Sequence, residues 1–162
     1  MKCKSTSFMA QFFKNMHPEK ALEKAKWYCS FQERCKQHVL NRLIAWNVEK
    51  QYMDDIIEKL KDDDFLNETR FAEAFVRGKF SIKNWGKIKI TAQLYQLHIN
   101  KKDIDVALAT INEDEYLKTL NQLAEKKKEQ LKEEQDANER KAKLFRYLSS
   151  KGYESDLIYK VL

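Results

Sequence analysis

The feature that most limits what this chain can fold into is an internal repeat. Set against itself, the sequence returns one apolar pattern three times. Val39, Leu43, Val48, Met53, Ile56 and Ile57 recur 51 residues later as Ile90, Leu94, Ile99, Ile104, Ala107 and Leu108. A further shift of 54 gives Leu144, Leu148, Tyr153, Ile158, Val161 and Leu162. A basic residue recurs with them, as Lys36, Lys87 and Lys141. The i, i+4 spacing inside each copy is helical, and the interval after it has the length of a tight turn. Asn47, His98 and Gly152 stand at that turn in the three copies. Asn tolerates left-handed backbone better than most residues, and glycine adopts it without strain. Each copy therefore reads as a first helix, a second helix ending near the leucine, a turn, and a short third helix.

With one Pro and three Gly in 162 residues, there are too few turn formers for a sheet protein of this size. The expected fold class is all-α, with three tandem three-helix repeats at 18–64, 65–111 and 112–162 behind an N-terminal tail, 1–17. A unit of three small helices buries too little apolar surface alone, so neighbours must stack to make a core. The expected array is elongated and curved, a shape better suited to gripping a macromolecule than to enclosing a small substrate.

Local signals place the helices. Pro18 suits a first helical position, and Leu22, Ala25 and Cys29 then share a side. Ser30 and Glu33 have capping-box spacing, which predicts a helix from about Phe31 to Trp46. A third helix is expected over about 51–61. Asn67 is placed to cap the next helix, with Leu66 and Phe71 at hydrophobic-staple spacing. That helix joins another near Asn84, for which Trp85, Ile88, Ile90 and Leu94 supply apolar positions. Ile111, Asn112 and Tyr116 repeat the Leu66, Asn67 and Phe71 arrangement, and Asp136 with Glu139 offers a further cap. Phe71, Phe75, Ile90 and Leu94 are assigned to the core.

Charge is unevenly spread. The net charge is +6, and residues 65–102 hold eight basic side chains against Glu68 and Glu73. A focused positive field attracts phosphate or an acidic protein surface. Arg70, Arg77, Lys79, Lys83, Lys87 and Lys89 are the candidate contact residues, with Trp85 as a candidate interface anchor.

Other chemistries find little support. His17, His38 and His98 lie in separate segments with no nucleophile pattern beside them. Gly78 and Gly86 are too isolated for a phosphate loop, so no catalytic residue and no cofactor is assigned. Cys29, Cys35 and His38 hint at a metal, but a fourth ligand at finger-like spacing is lacking, and no metal site is assigned. Three Cys residues make a disulfide framework improbable. No apolar run approaches the roughly 20 residues of a membrane helix. The first residues are too broken by Ser and Gln for a secretory signal. The expected compartment is the cytoplasm.

FLNETRFAEAFVRGKF, followed by WGKIKITAQL and the turn before Ile99, resembles the signature of the RecX recombination regulators. Glu68, Arg70, Phe71, Ala72, Phe75, Arg77 and Lys79 match its first part, and Gly86, Ile90 and Leu94 its second. Asn67 stands where the family usually has Asp, and His98 where Gly is usual. The resemblance covers about 18–162 and is weaker in the third copy. It implies a binding protein of three tandem three-helix units; the chain is expected to be a monomer and not an enzyme. Such proteins associate with the RecA recombinase filament on single-stranded DNA, lie along its groove, and limit its extension, ATPase and strand exchange. Two other readings fit the residues: a stand-alone module binding single- or double-stranded DNA, in which the turn imitates a helix-turn-helix, and a purely structural helical adaptor.

Overall fold

The structure is a computed structural model and describes residues 15–162. The expected tail therefore lies, for residues 1–14, outside the described residues. Asn15–His17 is non-helical, and the Met16 amide donates to the Asn47 carbonyl at 3.1 Å.

The described residues form nine α-helices and no strand. In chain order these are α1 (Pro18–Ser30), α2 (Lys36–Ala45), α3 (Lys50–Asp62), α4 (Glu68–Lys83), α5 (Lys87–Gln96), α6 (Lys101–Leu108), α7 (Glu113–Gln130), α8 (Ala137–Lys151) and α9 (Ser155–Val161). The all-α repeat array expected from the sequence is what forms.

The repeat is visible as backbone chemistry. Asn47, His98 and Gly152 all adopt positive φ, at 54°, 60° and 91°. The next residue's amide reaches back to the leucine carbonyl each time: Val48 to Leu43 at 3.0 Å, Ile99 to Leu94 at 3.1 Å, and Tyr153 to Leu148 at 3.3 Å. The turn residues' own amides bond Ile44, Tyr95 and Ser149. This paired bonding is a Schellman motif, which satisfies carbonyls that a helix end otherwise leaves open. Of the eighteen repeated apolar positions, all but Leu108, Val161 and Leu162 are buried.

Caps set the other ends. The Asn100 side chain accepts from the Asp103 amide at 2.9 Å, Asn112 from Glu115 at 3.0 Å, and Asp136 from Asn138 at 2.8 Å. Each cap contributes about 1 kcal/mol. One cap comes from afar: the Lys36 amide, which opens α2, donates to the Glu68 carboxylate at 2.7 Å.

Three sequence expectations are corrected. Ser30 ends α1 and its hydroxyl donates to the Trp27 carbonyl at 2.7 Å, so no capping box starts a helix at Phe31. Residues 31–35 instead link to α2, with Cys35 fully buried beneath that link. Trp85 precedes α5, and Ile88 is 55% exposed, so neither is a core position of that helix. Phe75 is only half-buried, because it lies on the flank of α4 beside Lys79.

By compactness the chain divides into a unit ending at Glu68 and a second unit, Thr69–Leu162. Ala21, Ala25, Val39, Leu43, Ile57 and Leu60 form the centre of the first. The second unit joins α4–α9 into one body, through a seam made of main chain. The Gly86 amide donates to the Lys151 carbonyl at 2.9 Å, and the Ile88 amide to the Gly152 carbonyl at 3.1 Å. The unsatisfied donors at the start of α5 thus meet the unsatisfied acceptors at the end of α8, with their partial charges opposed.

The fit leaves no room for a side chain on either strand of this seam. A Cβ on Gly86 would lie 2.2 Å from the Gly152 carbonyl oxygen, and one on Gly152 would lie 2.2 Å from the Lys89 Cβ. Gly86→Ala and Gly152→Ala are each expected to lower the urea-unfolding midpoint, by a stability change of about 1–3 kcal/mol. Gly78→Ala is the control: it sits inside α4 with nothing within 4 Å of an added Cβ. It should stabilise by about 0.5–1 kcal/mol through helix propensity. An unchanged midpoint for Gly86→Ala would show that the seam does not hold the unit together.

Candidate interaction surface

The candidate contact residues lie on α4, the link at 84–86, and the first turn of α5. The end of α4 is shaped by Asn84, whose φ of 52° turns the chain, and by the Trp85 amide, which donates to the Lys79 carbonyl at 3.1 Å. This turn brings the indole back beside the helix that precedes it. The Lys79 ammonium lies 4.9 Å from the centre of the Trp85 ring and 5.0 Å from that of Phe75. From α5, the Lys89 ammonium lies 4.7 Å from the same indole, while donating to the Ser150 carbonyl at 2.9 Å. One half-buried indole therefore holds two cations. Each such contact contributes about 0.5–2 kcal/mol, depending on its exposure.

The seven candidate residues do not form one face. Lys79, Trp85 and Lys89 come together as described, and Lys83 is exposed one turn beyond Lys79 on α4. Arg70 and Arg77 are two turns apart and so share a side of α4, which is not the side that carries Lys79 and Lys83. Arg77 is exposed and borders a groove of about 350 Å³ with Val76, Phe80, Ile111 and Glu115. Arg70 is half-buried in the first turn.

Lys87 is already engaged. Its ammonium pairs with the Glu113 carboxylate and lies 4.8 Å from the centre of the Tyr116 ring. Its amide donates to the Tyr116 phenol oxygen at 2.9 Å, and that phenol donates to the Glu154 carboxylate at 2.7 Å. Tyr116 is fully buried, with ring centres of Phe80 and Tyr153 at 5.7 Å and 5.0 Å. Lys87 thus fastens α5 to α7 and α9. Sequence reasoning grouped it with the surface cations because its partners lie 26 and 29 positions away.

Burial pushes the Cys29 thiol up to about 11 and raises Cys35 as well, so both stay protonated and unreactive. Burial, with Arg34 close by, lowers the His38 imidazole. Among the described residues no three His, Cys, Asp or Glu side chains come together as a metal site. Nor is any helix among them long and apolar enough to cross a membrane.

Comparison with known proteins bears on the family and the fold. Residues 67–108 match the family model for the second three-helix domain of RecX, and 113–162 match the model for the third. Together the two matches take in more than half of the chain. The chain belongs to the RecX family. It is 28% identical over 131 residues to the regulatory protein RecX of Finegoldia magna, covering 80% of this chain and 64% of that protein. It is 31% identical over 121 residues to the RecX of Clostridium tetani, covering 74% of this chain and 55% of that protein. It therefore spans less than two thirds of these curated relatives. A crystal structure of a regulatory protein RecX superposes with a TM-score of 0.82 at 23% identity, over 89% of this chain and 72% of that one. At that identity the likeness concerns the RecX fold alone.

The Tyr116 phenol has a definite pH signature. Burial, reinforced by its bond to Glu154, raises its ionisation far above the ordinary tyrosine range, and burial also raises Tyr153. The folded state thus keeps two protons that the unfolded chain releases near pH ~10. Stability from this source is complete below that pH and is lost as pH rises past it. Tyrosinate absorbance for these two side chains should appear only together with unfolding. Tyr116→Phe is expected to cost about 1–3 kcal/mol at neutral pH, since Glu154 loses a donor and the Lys87 amide an acceptor. Urea midpoints followed from neutral to alkaline pH would reveal both effects. A midpoint equal to that of the unaltered protein would remove Tyr116 from its assigned role.

Proposed function

We propose that this protein is a non-enzymatic regulator that binds the RecA recombinase filament on single-stranded DNA. In this reading it limits filament extension, ATPase and strand exchange, acting in the cytoplasm as a monomer of three tandem units at 18–64, 65–111 and 112–162. Membership of a family of regulatory proteins supports the role in general. The observation that carries the reading to a filament is the cluster at the α4–α5 junction. There Lys79 and Lys89 are held on one indole, with Lys83 exposed beside them.

A recombinase filament presents phosphates within a groove lined by protein side chains. Cations fixed on a rigid aromatic need give up little side-chain freedom on binding, which favours contact with such a surface. Arg77 and Lys83 add charge that steers the approach. Trp85 supplies apolar area at the centre of the cluster, as an anchor does in other interfaces. Arg70 adds to the field from the start of α4. Lys87 contributes indirectly, by holding α5 where Lys89 can reach the indole.

The test is recombinase ATPase on single-stranded DNA, titrated with this protein and with an Arg77→Ala/Lys79→Ala/Lys83→Ala variant. Turnover should fall with the unaltered protein. The variant should need at least about tenfold more to reach the same inhibition, a loss of roughly 1.4 kcal/mol. Circular dichroism must first show that the variant keeps its helices. Turnover that stays constant at saturating protein would overturn the regulatory reading, and equal potency of the variant would remove the cluster from it.

A further inference from the structure

The third three-helix stretch carries a second cationic feature, separate from the α4–α5 junction. The end of α7, the link at 131–136 and the first half of α8 enclose an open groove of about 410 Å³. Its rim carries Lys128, Lys132, Arg140 and Lys141, and its floor is Leu131, Leu144 and Leu162. No carboxylate side chain lines the groove, and two of its cations carry pairs on α7 and its end. Glu125 pairs with Lys128 at 3.1 Å and Glu129 with Lys132 at 2.8 Å, both as exposed contacts one helical turn apart. Such pairs are weak and readily exchanged. One Arg140 nitrogen donates to the Glu134 carbonyl at 2.8 Å. Lys141 has no ion pair among the described residues.

The repeat indicates what a groove at this place accepts. Lys141 is the third member of the series that begins with Lys36 and Lys87. At each earlier position an acidic residue from the start of a later helix lies on the start of the repeat's second helix. Glu68, which opens α4, accepts from the Lys36 amide at 2.7 Å. Glu113, which opens α7, pairs with the Lys87 ammonium, and Tyr116 follows one turn later to fill the apolar space behind it. At Lys141 the arrangement differs in one respect. The helix begins earlier, at Ala137, so the groove offers side-chain cations and not backbone amides.

We infer that this groove docks an acidic helix start of another protein, with carboxylates on Lys132 and Lys141 and an aromatic or leucine side chain on the floor. The charges are complementary, and the floor suits an apolar anchor. A nucleic acid strand would meet the cations but leave the leucines unfilled, because its bases stack on aromatic rings and the groove lining has none.

The probe is a fluorescein-labelled peptide with the sequence of residues 112–120, the acidic start of α7. Its binding to the full chain is followed by anisotropy, alongside a labelled oligothymidine. The peptide should bind, and binding should weaken with salt. Lys132→Glu/Lys141→Glu should weaken it at least about tenfold, with circular dichroism unchanged. Leu131→Ser should weaken it while leaving the salt dependence as it was, and so should replacing the peptide's tyrosine by alanine. Arg77→Ala/Lys83→Ala, outside the groove, should leave it unaltered. No peptide binding, or equal binding to the double charge reversal, overturns the inference. So does an oligothymidine affinity that drops as far as the peptide's in that variant, since the groove would then belong to nucleic acid.

Discussion

The second compact unit depends on backbone meeting backbone at Gly86 and Gly152. A helix start exposes amides that need acceptors, and a helix end exposes carbonyls that need donors. Here α5 and α8 meet each other's need directly, at 2.9 Å and 3.1 Å. No side chain could mediate so short an approach, since even one Cβ would fall within 2.2 Å of a neighbouring atom. The two glycines thus serve different ends. Gly152 is required both by its left-handed turn and by crowding, whereas Gly86, in ordinary extended backbone, is required by crowding alone.

Around this seam the rest of the unit follows. Tyr116 fills the space beside it and bonds both the start of α5 and the cap residue of α9. Lys87 completes the fastening by pairing with Glu113 over the same ring. With α5 fixed, Lys89 meets Trp85 from one element and Lys79 meets it from another. The proposed contact surface is therefore a product of packing beneath it. Its cations are oriented by residues packed beneath them.

Much of this was legible in the sequence, for a local reason. The Schellman turn involves six consecutive residues, so its marks, a leucine, a turn former and an apolar residue after it, stay at fixed spacing in all three copies. Asn100, Asn112 and Asp136 cap by bonds to amides two or three residues ahead, of which Asn112 and Asp136 were read from spacing alone. What was not legible depends on distance across the fold. Ser30 and Glu33 have capping-box spacing, yet Ser30 closes back on Trp27 and the true cap of α2 is Glu68. Lys87 reads like its neighbours until Glu113 and Tyr116 are brought beside it. Arg77 and Lys83 are close in sequence, but helical geometry sends them to different sides of α4. Lysine spacing alone could not separate a fastening residue from a surface one.

The residue chosen at the repeated turn is itself a record of surroundings. Asn47, His98 and Gly152 hold the same left-handed conformation, but the first two residues stand exposed, whereas the start of α5 is pressed upon the last where a Cβ would be. Where there is space, asparagine or histidine is accepted at a modest conformational penalty; where a neighbouring helix begins on top of the bend, only a hydrogen atom fits. A single letter at this place in each copy therefore reports how crowded that corner is, and glycine marks the junction at which successive bundles have become inseparable.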